Sequence, residues 1–280
     1  MQANNKKLLI MEYPIDFINL LSSKKEECLV GWGNPNAKIL VIGKEPAIPN
    51  DGKEQYELEI LQNHKLWDKN VRERTSQEDI VPYQFDESGN HILNASDITY
   101  NPLYPYKGQE FAVRKKRKGV IIGKKGTSST WYNYQKLCNR ILGREISPKM
   151  NDFFKYFFTT ELSTATAKYS HEVDKTAREE SIRNRKTFLC HPFYQKFPIV
   201  ILAVGHYPRE HGIIIEDIFK TKYEGKTHDV GRFWYNVHNS ATNLPKLIIH
   251  TNQLSMVSYD LIKVVAEKCR HFVKSNNIEL

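Results

Sequence analysis

The run Pro198-Ile199-Val200-Ile201-Leu202-Ala203-Val204-Gly205 has eight consecutive positions without a polar side chain. A strand this apolar has no face to give to water, so it belongs in a sheet covered on both sides, as parallel sheets are. Runs 38–42, 153–158 and 246–249 share its β-branched and aromatic character and predict three further buried strands. The intervals between them are long enough for helical crossovers. Ile15, Phe17, Ile18, Leu20 and Leu21 give segment 8–24 helical spacing, and segments 56–67, 131–143, 171–187 and 256–275 also predict helices. Thr127-Ser128-Ser129-Thr130 supplies caps for segment 131–143. Segment 70–110 reads as loop-rich, and 206–244 as a helix with loops. Together these features predict an α/β fold: a central four-stranded parallel sheet flanked by helices on both faces, in three layers. The chain reads as a single domain over 1–280, with an insertion at about 50–126 after the first strand.

The stretch Gly33-Asn34-Pro35-Asn36-Ala37-Lys38-Ile39-Leu40-Val41-Ile42-Gly43-Lys44-Glu45-Pro46-Ala47 fixes where chemistry is expected. Asn34-Pro35-Asn36 reads as a turn, and Gly43 with Pro46 forces the chain out of the strand. Glu45 is thereby held at the carboxyl end of the strand, where ligands bind in open α/β sheets. It is a candidate catalytic carboxylate or a cap for the next helix. His250 ends the fourth strand. If the first and fourth strands end on one side, a carboxylate faces an imidazole across a cleft.

Charge narrows the partners. The net charge of +9 and pI near 9.2 favour a polyanion, with nucleic acid the natural first choice. The charge is unevenly spread: residues 51–100 hold eleven Asp/Glu against five Lys/Arg, and residues 101–150 hold twelve Lys/Arg against two Asp/Glu. Arg114, Lys115, Lys116, Arg117 and Lys118, with Lys124 and Lys125, form either a phosphate-binding arm or a solvated loop. Four cysteines, at 28, 138, 190 and 269, make no Cys-x-x-Cys pair. Neither a metal or iron–sulfur cluster nor another cofactor is expected. The opening residues lack a signal h-region and no run reaches the roughly 18 apolar residues of a membrane span. A cytoplasmic protein with free, reduced thiols and no membrane contact is therefore expected.

Two ends of this pattern together resemble the uracil-DNA glycosylase superfamily. Val41-Ile42-Gly43-Lys44-Glu45-Pro46-Ala47 is similar to that family's first motif, an apolar strand followed by Gly-Gln-Asp-Pro-Tyr or Gly-x-Asn-Pro-Gly. His250-Thr251-Asn252-Gln253-Leu254-Ser255 is similar to its last motif, His-Pro-Ser-Pro-Leu-Ser, at His, Leu and Ser. Between them, Phe157-Phe158-Thr159-Thr160-Glu161-Leu162-Ser163 and Ser170-His171 resemble Leu-Leu-Asn-Thr-x-Leu-Thr and the Ser-His that follows. The resemblance covers 33–47 and 127–275 and leaves out the insertion.

The resemblance implies hydrolysis of the N-glycosidic bond of uracil or another altered base in DNA, by a monomer without a metal. It implies that Glu45 orients water and steadies the cationic sugar, while a neutral His250 donates to the departing base. Gly43, Pro46, Ala47, Thr159 and Tyr104 would line the base pocket, Tyr104 as the stacking ring. Leu254 would fill the gap left by the flipped base, and Asn252 and Ser255 would hold phosphates. Thr159 stands where the family reads the base with Asn, and a hydroxyl cannot supply the same donor-and-acceptor pair. Two alternatives stay open: a noncatalytic nucleic-acid-binding protein on this scaffold, and a nucleoside or nucleotide hydrolase.

Overall fold

The structure, a computed structural model, describes residues 12–23, 28–48, 51–84, 100–111, 115–117, 120–122, 128–145 and 149–280. Its strands are β1 (Trp32–Gly33), β2 (Ile39–Gly43), β3 (Lys115–Arg117), β4 (Val120–Ile122), β5 (Phe157–Glu161), β6 (Ile199–Leu202), β7 (Thr221–Val230), β8 (Phe233–Ser240) and β9 (Leu247–Thr251). Its helices are α1 (Ile15–Ser23), α2 (Lys53–Tyr56), α3 (Asn63–Glu73), α4 (Ser129–Ile141), α5 (Lys175–Leu189), α6 (Pro192–Gln195), α7 (Tyr207–Glu210), α8 (Ile215–Phe219) and α9 (Tyr259–Ser275). A π-helical turn, Glu57–Leu61, joins α2 to α3.

The class is α/β, as the apolar runs predict, but the sheet is not a four-stranded parallel one. Seven strands form one mixed sheet in the order β1-β5-β2-β6-β9-β8-β7. The expected runs supply its parallel middle, β5-β2-β6-β9, and antiparallel strands flank it: β1 on one side, the β7–β8 hairpin on the other. Segment 206–244 conceals that hairpin because β7 is an edge strand. Lys222, Glu224, Lys226 and Asp229 are exposed there, so the hydrophobic alternation that announces a strand is missing.

Alternation along the parallel strands sends side chains into two cores. Ile39, Val41, Ile199, Ile201 and Ile249 meet Leu137 and Cys138 of α4 and Leu261, Val265 and Cys269 of α9. Leu40, Ile42, Val200, Leu202 and Ile248 meet Phe17 and Leu20 of α1, Trp67 of α3 and Ile182 and Leu189 of α5. Each such side chain contributes about 1.5–3 kcal/mol by leaving water, and both faces need it. That is why the runs are continuously apolar.

Two boundaries differ from expectation. Phe153–Lys155 is a 3₁₀ turn, so β5 starts at Phe157 and runs on through Thr159 and Thr160. Both threonines are buried, and their hydroxyls donate to Trp32 O (3.3 Å) and Val30 O (3.0 Å). The start of the expected insertion is built into the body. Asn63 Oδ1 accepts from the backbone N–H groups of Val30 (2.9 Å) and Gly31 (3.2 Å), and the fully buried Trp67 donates Nε1–H to Gly31 O (2.8 Å). Gly31, at φ +145°, allows this approach; a Cβ there would lie 2.4 Å from Thr159 O.

Candidate functional site

All four parallel strands end at one edge of the sheet, and the loops that follow are stitched together there. Leu162 N–H donates to Gly43 O (2.9 Å), Ser163 N–H to Lys44 O (2.8 Å) and Gly205 N–H to Thr251 O (2.9 Å). Glu45 therefore leaves β2 beside the end of β5, and His250, within β9, lies beside the loop after β6.

Glu45 has a buried carboxylate, its side chain 3% exposed. Tyr207, the first residue of α7, donates its hydroxyl to Glu45 Oε2 (2.7 Å), and Arg178 Nε of α5 stands 4.0 Å from the same oxygen. With its single proton so used, Tyr207 accepts from Ser170 Oγ (3.2 Å). Burial, above all, lifts the Tyr207 hydroxyl beyond the ordinary phenol range, and Glu45 adds to the lift. Cations stack on the Tyr207 ring: Lys44 Nζ at 4.3 Å and the Arg178 guanidinium at 5.4 Å from its centroid. Arg178 also donates to Ser170 O. Burial lowers the Lys44 ammonium, with the charges of Glu45 and Glu210 pulling the other way. Glu45 Oε1 is buried and has no hydrogen-bond partner.

A second carboxyl group lies next to the first. Glu161 is the last residue of β5 and pairs in register with Gly43. A Cβ on Gly43 would fall 2.2 Å from Glu161 Oε2, so the carboxyl group packs directly against the Gly43 backbone. The residue as a whole is partly buried, yet Oε2 is closed off from solvent and unpartnered. Burial, and then the Glu45 charge, pushes its pKa up to about 8, against the pull of the Arg185 cation. Both effects favour the protonated form of Glu161 over the carboxylate.

His250 is buried, and Nε2 lies 2.8 Å from Gly205 O. A carbonyl only accepts, so that nitrogen carries the proton and the neutral ring keeps its lone pair on Nδ1. Burial lowers its pKa to about 4, with the charges of His238 and His206 adding and the Gly205 bond opposing. Trp234 of β8 meets the His250 ring edge-on at 4.9 Å and stacks on His206 at 5.3 Å.

The other expected site residues divide. Gly43 and Pro46 are buried beside the carboxyl pair, and Ala47 is exposed. Thr159 lies two residues inside β5, its hydroxyl turned to Trp32 O. Tyr104 is corrected as a stacking ring. It is 4% exposed, donates to Asn151 O (2.8 Å) and packs on Phe154, which precedes β5 and so lies toward the opposite edge. Leu254 is corrected as a gap-filling wedge: it is 1% exposed, a core residue, and Asn133 of α4 donates to its carbonyl (2.8 Å). Asn252 accepts from Trp234 N–H (2.8 Å), which occupies its carbonyl oxygen, and Ser255 is half-buried. Lys115, Lys116 and Arg117 form β3, paired with β4, while Arg114, Lys118, Lys124 and Lys125 lie outside the described residues.

Sequence reasoning missed Glu161, Tyr207 and Arg178. The signal for Glu161 was present, since an apolar strand ends in a carboxylate there just as at Glu45. For Arg178, one charge among many on α5, the sequence holds no signal. No group of three or more His, Cys, Asp or Glu that could hold a metal is found among the described residues, and no described helix is long and apolar enough to cross a membrane. Compared with models of known families and with curated proteins, the chain matches none.

Proposed function

We propose that this chain is a glycosylase-like hydrolase that removes an altered base from DNA by cleaving the N-glycosidic bond, with Glu45 orienting the attacking water. The observation that carries this reading is the asymmetry of the Glu45 carboxylate. Oε2 is fixed by Tyr207 and faces Arg178, whereas Oε1 is buried and unpartnered, ready to accept from a water molecule. A carboxylate so held steadies the positive charge that develops on the sugar as the bond breaks. The resemblance at 41–47 and 250–255 adds the substrate class, and the net charge of +9 adds affinity for a phosphate backbone. In this reading His250 is neutral, and its Nε2–H exchanges Gly205 O for the base carbonyl when substrate enters. The protein acts as a cytoplasmic monomer with free buried thiols, among them Cys138 and Cys269.

The test is base release from oligonucleotides carrying uracil, hypoxanthine or xanthine, comparing wild type with Glu45→Gln and His250→Ala. Release that is lost in Glu45→Gln supports the reading. Bound DNA with no release from any oligonucleotide by wild type sinks it and selects the noncatalytic binder, which the burial of Leu254 and the inward-turned hydroxyl of Thr159 favour.

A further inference from the structure

Glu45 accounts for only one of the two carboxyl groups at this edge. The other is placed with as much care. Glu161 ends the strand beside β2, its carboxyl group packs against Gly43, and Oε2 is enclosed without a partner. An enclosed carboxyl oxygen that gives up its water and gains no bond in return destabilises the fold, so its persistence next to a reactive carboxylate calls for a ligand group to satisfy it. The groups that face it are Glu45 from the β2 loop, Arg185 from α5 and the Tyr134 hydroxyl from α4. Arg185 forms no ion pair with the Glu161 carboxyl group among the described residues; its nitrogens donate to Glu161 O (3.0 Å), Leu29 O (2.5 Å) and Thr160 Oγ1 (2.7 Å), and it bonds the Tyr194 hydroxyl.

Resting on the glycosylase reading, we propose that Glu161 is a second catalytic carboxyl group, the general acid that protonates the departing base, and that the substrate is a purine-type base or another poor leaving group. In this step the C1′–N bond breaks and its electron pair leaves on the base. Glu161 gives its proton to that base, water bonds to C1′, and the water's proton passes to Glu45 Oε1. One water is consumed, and exchange with solvent returns Glu161 to its acid and Glu45 to its carboxylate. With Glu161 held neutral beside Glu45, the two carboxyl groups divide the acid and base roles in this way. The elevated pKa of Glu161, about 8, keeps the proton available at neutral pH. A base that departs readily as an anion gains little from an acid, whereas a purine depends on one.

The experiment compares release of hypoxanthine and of 5-fluorouracil, a good leaving group, by wild type and Glu161→Gln. We expect Glu161→Gln to lose about 10²–10⁴-fold on hypoxanthine and less than about tenfold on 5-fluorouracil. In wild type, hypoxanthine release should fall as pH rises through about 8 while 5-fluorouracil release does not, a readout that needs no variant. Equal loss on both bases, or hypoxanthine release that ignores both Glu161→Gln and pH, overturns the acid role and leaves the glycosylase reading standing. No release of either base by wild type removes that reading and this proposal with it.

Discussion

Arg185 is the residue whose loss should be felt most sharply. Arg185 is 4% exposed, and from α5 its guanidinium ties down two other segments at once: Leu29 O ahead of β1, and Thr160 Oγ1 and Glu161 O on β5. Arg185→Met keeps much of the packing volume but leaves two buried carbonyl oxygens and a hydroxyl without their donor. Leaving a buried acceptor without its donor costs about 1–3 kcal/mol, so three that relax together cost about 3–5 kcal/mol. Unfolding entropy near 2.1 cal/mol/K per residue gives about 0.6 kcal/mol/K for 280 residues, so the melting temperature should fall by about 5–8 °C. Arg185→Lys keeps the cation but cannot span three acceptors, and should fall between wild type and Arg185→Met. Circular-dichroism melts and urea unfolding of the three proteins decide it. A loss under about 1 kcal/mol for Arg185→Met would refute the claim that this side chain ties β5 to its neighbours.

Three further outcomes follow from the carboxyl edge. With its pKa raised to about 8 in the fold, Glu161 keeps a proton that the unfolded chain sheds near pH 4.5, so it weakens the fold progressively as pH rises from about 4.5 to 8. Urea midpoints of Glu161→Gln should therefore gain on wild type across that window, and parallel curves would contradict it. His250 has the opposite sign: the unfolded chain takes a proton near pH 6.5 that the folded ring refuses until about 4, so stability is lost as pH falls through that range. His250→Gln should flatten this acid limb in the same assay; an unchanged limb would show that another group causes it. Tyr207→Phe removes the hydroxyl that fixes Glu45 Oε2 while keeping the ring between Lys44 and Arg178. A hydrogen bond to a charged group is worth about 1.5–3 kcal/mol, so base release should slow by about 10- to 100-fold with the fold intact, and wild-type rates would exclude this role for Tyr207.

Where the physics is local, the chain alone dictated the outcome. Continuous apolar runs at 39–42, 198–205 and 247–249 can be buried on both faces only in the middle of a covered sheet, and the spacing of Leu261, Val265 and Cys269 makes α9 amphipathic in isolation. The Gly43-to-Pro46 exit made Glu45 legible in the same way. What depends on a neighbour distant in sequence was settled only by folding. The β7–β8 hairpin is held by its pairing to β9, so a polar edge sequence sufficed. Leu254 and Tyr104 carried the residue types of a DNA wedge and a stacking ring, but α4 and Phe154 enclose them, and burial is a property of the surroundings. Glu161 became a candidate acid only when pairing of β2 with β5 set it over Gly43, beside Glu45 and near Arg185. A proton affinity is set by the charges and the solvent around a group, and the fold alone brings those together.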